Sequence, residues 1–352
     1  MSDPASDVMV RVQNGIGRLT LNRANALHAL TTNMCQIMIK ALQAWHHDPA
    51  IELVLLDHAG ERGFCAGGDI RMLANSVKTD GVEARAFFYT EYQLDHLLKT
   101  YAKPVIAIMD GTVMGGGVGI ALPATTRIAT ERTTFAMPET GIGLFPDVGG
   151  GWYLPRLPGA TGYWLGLTGA RLKAADCMLL GLTTHYVTAA QLEAFKADLI
   201  SGHGPGRLAK ALAANASEAG PAPLAPQQAA IDAHFSATTL EAILDRLAAD
   251  ASDWAKKQHD ILLTKSPQAL KVALRQMQTG AKATDFAEIL AMEYRISARV
   301  VSRHDFSEGV RAVIIDKDNA PVWSPSTLNS VDAALLDEIF APLPHDQEWR
   351  PL

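Results

Sequence analysis

Cysteine is scarce in this chain of 352 residues, which carries only Cys35, Cys65 and Cys177. They are odd in number, widely spaced and include no C-x-x-C pair, which excludes a disulfide framework and a zinc site of the usual spacing and fits a reducing compartment. Cys65 has small, apolar neighbours and no histidine tied to it, so it reads as packing and not as a nucleophile. Basic charge is also short, with 31 Lys and Arg against 37 Asp and Glu for a formal net charge of −6. Nonspecific nucleic-acid binding depends on basic surface that neutralises phosphate, so no nucleic-acid partner is expected. A long uninterrupted apolar run is missing too. The nearest approach, Val105 to Leu122, is close to the roughly 20 residues of a membrane span, but Asp110 and several glycines break it, and no membrane partner is expected. The opening residues MSDPASDVMVRVQNG hold neither the basic stretch and apolar core of a signal peptide nor the Arg-rich composition of a transit sequence. The expected location is cytoplasmic.

What is present has the balance of a globular protein, 48% apolar and 19% charged. The length exceeds the roughly 50–250 residues of a single domain. The expected organisation is a catalytic core over residues 1–201 and a mainly helical C-terminal region over residues 202–352 packing on it. Val8 to Val12 and Arg18 to Asn22 read as a strand pair, and Thr31 to His47 carries apolar residues at helical spacing. Leu53 to Asp57, Val105 to Met109 and Arg127 to Thr130 each supply a short apolar or β-branched run before a turn. The class is therefore α/β, consistent with a spiral of ββα units. A helix is expected over Glu83 to Tyr101. The segment Gly202 to Gln227, rich in Gly, Ala and Pro, reads as an exposed connection. Beyond it, Thr239 to Ala251, Trp254 to Thr264, Pro267 to Thr279 and Phe286 to Arg303 read as helices whose apolar stripes are packing faces. No internal repeat of solenoid type is present.

Chemistry is concentrated in the run Phe135 to Gly151, FAMPETGIGLFPDVGGG, which sets Glu139 and Asp147 eight residues apart among apolar, Gly and Pro residues. A carboxylate in such surroundings loses hydration, so its pKa rises and it becomes a base or nucleophile near neutral pH. The bland alternative is a helix cap at Glu139 and a turn at Asp147.

Two glycine turns precede that run. In Lys103 to Leu122, KPVIAIMDGTVMGGGVGIAL, a strand leads through Asp110-Gly111 into four glycines and a helix start. Free N–H groups at such a start hold a negative oxygen. No Lys-Ser/Thr pair follows, and Gly115, Gly117 and Ile120 break the dinucleotide pattern, so neither nucleotide motif is present. The second turn, Gly63 to Ile70, GFCAGGDI, again follows a strand-like run, with Asp69 placed to favour the helix that begins there. Two such turns, each offering a backbone N–H, can meet around one carbonyl oxygen and stabilise charge developing on it.

The segments LNRANALHAL, GFCAGGDI, KPVIAIMDGTVMGGGVGI and MPETGIGLFPDVGGGWYLPRL together resemble the crotonase, or enoyl-CoA hydratase/isomerase, superfamily. Within it the run PETGIGLFPDVGGG resembles most the 3-hydroxyisobutyryl-CoA hydrolases, with Gly141 at the variable position. The similarity continues through EYQLDHLLKTYAKP, LTGARLKAADCMLLGLTTHYV and DFSEGVRAVIIDKDNAPVW, so it covers most of the chain. It implies a crotonase-like spiral with a helical C-terminal extension, an acyl-CoA substrate in valine catabolism, and no cofactor or metal, coenzyme A being part of the substrate. Superfamily members often assemble as trimers, so a homo-oligomer is among the expected partners.

Carried over position by position, the resemblance places the oxyanion donors on the N–H groups of Gly68 and Gly116, and the catalytic carboxylate on Glu139. The second acid of the hydratases falls on Gly119, which has no side chain. Asp147 stands where hydratases usually carry glycine, which favours thioester hydrolysis. Glu91 matches a substrate-contacting residue, and further substrate contacts are implied at Ala26, Ala66, Asp69, Ile70 and Gly115. The bland reading of Glu91 is a solvated helix-face charge. Ala24 and His28 depart from the common Pro and Asn of the superfamily, and His28 reads as structural. Arg23, Arg62, Arg71 and Lys103 are candidates for the coenzyme A phosphates. The competing functions are a hydratase or isomerase of the same fold, which would need another acid, and a noncatalytic member that binds an acyl-CoA or a protein.

Overall fold

The computed structural model describes residues 6–352; the first five residues of the opening stretch, used above for the N-terminal reading, lie outside the described residues. Among the described residues the strands are β1 (Val8–Gln13), β2 (Ile16–Leu21), β3 (Leu53–His58), β4 (Gly63–Cys65), β5 (Val105–Met109), β6 (Thr112–Met114), β7 (Thr126–Ala129), β8 (Thr134–Ala136), β9 (Leu172–Lys173), β10 (His185–Val187) and β11 (Ala216–Ser217). One sheet runs β1-β2-β3-β5-β7-β10-β11 and a smaller one runs β4-β6-β8-β9. The expected strand pair is a hairpin closed by Asn14 and Gly15 at φ 49° and 76°. Asn-Gly is the pair that such a two-residue turn favours.

From β2 to β10 the large sheet is parallel. β3 and β5 are buried along their whole length, as parallel strands covered on both faces must be. One core cluster joins Leu53, Leu55, Ile106, Ile108 and Ile128 of the sheet to Leu192, Phe195 and Leu199 of the helix Ala189–Ser201.

The segment from Gly202 to Gln227 differs from the exposed connection expected of its composition. It holds the helix Arg207–Asn215 and β11, which adds antiparallel to β10. Alanine is the best helix former, and Ala211 reaches the core cluster. Arg207 is buried, with Nη2 3.1 Å from Glu52 and Nη1 donating to the Asn14 carbonyl at 2.7 Å. Tertiary contacts thus override the loop-like composition.

By contacts the chain divides into two compact units that interleave in sequence. The first takes residues up to Gly68, Gln93–Phe135 and Leu172–Ala225; the second takes Asp69–Tyr92, Ala136–Arg171 and Pro226–Leu352. The second is mainly helical, and side-chain caps set its helix starts. Thr239, Ser252, Ser266 and Asp285 each accept a backbone N–H from the first turn of the helix that follows. Among the described residues no helix is long and apolar enough to cross a membrane.

Candidate active site

In the first unit, parallel pairing of β4 with β6 brings the two glycine turns side by side. The later turn contains β6 as an extra short strand between β5 and the helix Gly116–Ala121. A Cβ on Gly67, whose φ is +113°, would stand 3.6 Å from the Gly116 nitrogen. One on Gly117 would stand 2.3 Å from the Cys65 carbonyl oxygen, so only glycine lets the turns close to this distance. Gly116 opens its helix, where backbone N–H groups have no intrahelical acceptor. The segment holding Ala26 runs alongside: Leu30 N–H donates to the Gly67 carbonyl at 2.7 Å, Leu30 bridges to Gly68, and Ala66 N–H donates to Leu27 at 3.0 Å. The structure therefore gathers Ala26, Ala66, Gly68, Gly115 and Gly116 on neighbouring turns.

The carboxylates lie in the second unit. Glu139 begins the short 3-10 turn Glu139–Ile142 and is buried, and its Oε2 has no hydrogen-bond partner among the described residues. Burial, and then the charge of Asp147, push its carboxyl well above the ordinary range, while its own N–H pulls the other way. Asp147 is buried too, and burial lifts it to about 6 against the pull of the Tyr92 hydroxyl, which donates to Oδ2 at 2.8 Å. Glu91, on the helix Val82–Lys99, is 1% exposed, so it is not a solvated helix-face charge. Burial and then Asp147 hold its proton well above the usual value. Asp69 caps the helix Ile70–Val77 by accepting the Met72 N–H at 3.2 Å, and Ile70 is the first residue of that helix.

Four residues of this site escaped the sequence reading. Tyr92 follows Glu91 directly and is fully buried between Asp147 and the Ser297 hydroxyl, 2.7 Å away. Glu293 accepts the N–H groups of Gly149 and Gly151, and Gln276 donates to Glu293 and to the Pro146 carbonyl. The available signal was a carboxylate on an apolar stripe: Glu293 shares a buried face with Ile289, Leu290, Ile296 and Val300.

His28 is structural. Its Nδ1 accepts the Arg23 N–H at 3.0 Å, so Nε2 carries the proton given to the Ala59 carbonyl at 2.9 Å. Burial and the neighbouring His58 push its pKa down to about 4, against the Ala59 bond. Cys65 is fully buried, with its thiol against the His28 carbonyl at 3.2 Å, as a packing residue would be. Of the phosphate candidates, Lys103 is engaged: its ammonium donates to the carbonyls of Trp45 and Asp48 beyond the helix Thr32–His46.

A profile of the enoyl-CoA hydratase/isomerase family matches residues 16–340. The chain is 43% identical over 97% of its length to a protein of Danio rerio named 3-hydroxyisobutyryl-CoA hydrolase, mitochondrial, covering 91% of it. It is 41% identical to the protein of the same name from Homo sapiens, again over 97% of this chain and 90% of that one. Among solved structures it is similar to a carnitinyl-CoA dehydratase from Mycobacterium thermoresistibile, with TM-score 0.92, 41% identity and coverage of 96% and 97%. It is also similar to an enoyl-CoA hydratase from Rhodobacter sphaeroides, with TM-score 0.89, 38% identity and coverage of 98% and 100%. These relatives correct one expectation. The curated ones are named as mitochondrial, which points away from the cytoplasmic location read from the opening residues. That reading took a compartment from the absence of a targeting pattern, which carries little information.

Proposed function

This chain belongs to the enoyl-CoA hydratase/isomerase family, and from that premise we propose that it is an acyl-CoA thioester hydrolase acting on 3-hydroxyisobutyryl-CoA. The relatives named for that activity, at 43% and 41% identity over nearly the whole chain, support it. The observation that carries it is the pairing of buried carboxylates at Glu139 and Asp147, together with a glycine at position 119. Hydration needs a second proton-handling group on the helix after the glycine turn, and Gly119 has no side chain to supply one.

In this reading Glu139 drives attack on the thioester carbonyl carbon, as nucleophile or by taking a proton from the attacking water. The charge that develops on the carbonyl oxygen is received by the N–H groups of Gly68 and Gly116. A C–O bond forms to water or to Glu139, the C–S bond breaks, and the leaving thiolate takes up a proton; on the Glu139 route water then cleaves the resulting anhydride, which frees the hydroxy acid and restores the carboxylate. Asp147 orients the substrate hydroxyl or passes that proton. Glu91, Ala26, Ala66, Asp69, Ile70 and Gly115 are assigned to substrate contacts. The reaction requires no cofactor, since coenzyme A leaves as product. Assembly into a homo-oligomer belongs to the same proposal and is tested by light scattering.

A second reading, hydration of an enoyl-CoA, is favoured by the names of the solved structures at 41% and 38% identity. One experiment separates the two: thiol release from 3-hydroxyisobutyryl-CoA is followed with a thiol-reactive dye, beside hydration of crotonyl-CoA, for the wild type and Glu139→Gln. Thiol release that disappears in the variant, with little hydration, is the expected result. Hydration without thiol release would replace the hydrolase reading by the second one, and inactivity toward both would remove the assigned substrate.

A further inference from the structure

The loop that carries Asp147 is strained. Gly150 N–H donates to the Asp147 carbonyl at 2.7 Å, closing a tight turn over Val148 and Gly149 at φ 51° and 86°. Two successive positive φ values belong to a turn that Asn and Gly fill readily and a β-branched valine does not. Such a conformation persists where its surroundings over-determine it. Here the surroundings are two helices. From Phe286–Val300, Glu293 accepts the Gly149 N–H on Oε2 at 2.7 Å and the Gly151 N–H on Oε1 at 2.9 Å. From Pro267–Gly280, Gln276 donates Nε2 to the Pro146 carbonyl at 2.6 Å and to Glu293 Oε1 at 2.7 Å. A Cβ on Gly280 would lie 1.8 Å from the Gly151 carbonyl oxygen, so the end of that helix meets the loop at the backbone.

One helical turn beyond Glu293, Ser297 reaches the Asp147 carboxylate indirectly, through the Tyr92 hydroxyl. Tyr92 gives its hydroxyl proton to Asp147, so Ser297 is the donor in the 2.7 Å contact between the two hydroxyls. That donation polarises the phenol and strengthens its bond to the carboxylate. Glu293 is itself fully buried, and three N–H donors hold it. A buried carboxylate is expensive where packing alone is required, because an apolar residue of similar volume avoids the desolvation.

Resting on the reading of Asp147 as the second carboxylate of a thioester hydrolase, we propose that Glu293 and Ser297 are positioning residues for Asp147. Glu293 fixes the backbone that carries it, and Ser297, through Tyr92, fixes where its carboxylate stands. Neither touches the substrate.

The test measures hydrolysis of 3-hydroxyisobutyryl-CoA by the wild type, Asp147→Asn, Glu293→Gln, Ser297→Ala, and the two doubles that combine Asp147→Asn with each of the others. A positioned proton-transfer group is worth about 10²–10⁴ in rate, and a misplaced one loses part of that. Glu293→Gln and Ser297→Ala should each lower kcat by about tenfold, with KM changing by less than about threefold. Once Asp147 is neutralised its placement no longer matters, so each double should match Asp147→Asn within about twofold. Doubles slowed by the full extra factor overturn the positioning role, as does wild-type kcat in both single variants. Should Glu293→Gln fail to fold, Ser297→Ala, which removes one hydroxyl, decides by the same cycle. Wild-type kcat in Asp147→Asn removes the role assigned to Asp147 and the positioning role with it, whereas slow Asp147→Asn with independent doubles removes the positioning role alone.

Discussion

The carbonyl oxygen of Cys65 stands 2.3 Å from where a Cβ on Gly117 would be, so the two glycine turns meet backbone to backbone. The N–H groups assigned to the oxyanion belong to residues flanking this contact, Gly68 and Gly116.

A methyl group at Gly117 forces the turns apart, because real Cβ atoms essentially never come within 3.0 Å of such a neighbour. Gly117→Ala should lower kcat for thioester hydrolysis by about 100- to 1,000-fold, the range for losing one oxyanion donor. Circular dichroism alongside the kinetics checks that the variant is folded. Unchanged kcat in a folded variant would disconnect the contact from the donors.

Burial pushes Glu293 up to about 8, against the Gly149 and Gly151 N–H groups that lower it and with Asp147 raising it further. The ordinary value is 4.5, so the folded state holds this proton more tightly than the unfolded chain. Its stabilising contribution is therefore complete below about 4.5 and is lost as pH rises through about 8. Relative to the wild type, Glu293→Gln should gain stability between pH 5 and pH 9, by up to about 4 kcal/mol. Unfolding midpoints of both proteins at the two pH values measure this, and a gap that stays constant would contradict it.

His28 behaves in the opposite sense. Its folded value, about 4, lies below the ordinary 6.5 because burial and His58 disfavour the charged ring. The stability it contributes is present above about 6.5 and lost as pH falls through about 4. His28→Ala leaves the Arg23 N–H and Ala59 carbonyl without their partner, at a cost of about 1–3 kcal/mol. Its kcat should stay within about threefold of the wild type, against the 10²–10⁴ expected on removal of a general base. A larger loss of kcat, seen in the same thiol-release assay, would give His28 a catalytic part.

Lys103 holds carbonyls of Trp45 and Asp48 at the C-terminal end of the helix Thr32–His46, where a cation is favourable. Lys103→Met should lower stability by about 0.5–1.5 kcal/mol and leave the affinity for free coenzyme A unchanged in calorimetry. A tenfold weaker affinity would return Lys103 to the phosphate site.

Much of the site was legible because it is local. The glycine turns, the Pro138-Glu139 step and the apolar setting of Asp147 are patterns within a few residues, and the structure buries both carboxylates as that setting requires. Glu91 was ambiguous, since a helix shows which residues share a face and not whether that face meets solvent. Residues 202–227 misled because the glycines and prolines of the segment flank a stretch, Arg207–Asn215, that holds neither and is rich in alanine, the best helix former. The expected boundary at residue 201 followed that change in composition, while the compact units interleave along the chain.

Sequence alone determined the first strand pair, the apolar strand runs of the parallel sheet, the Asp69 helix start and the two carboxylates of the PETGIGLFPD run, because each depends on neighbours within about one helical turn. Tertiary structure alone decided what surrounds Asp147. Tyr92 is 55 residues away from it in the chain, Ser297 is 205 from Tyr92, and Glu293 is 144 from the Gly149 N–H it accepts. Burial raises the pKa values of Tyr92, Asp147 and Glu293, and no local pattern encodes which distant helix arrives there.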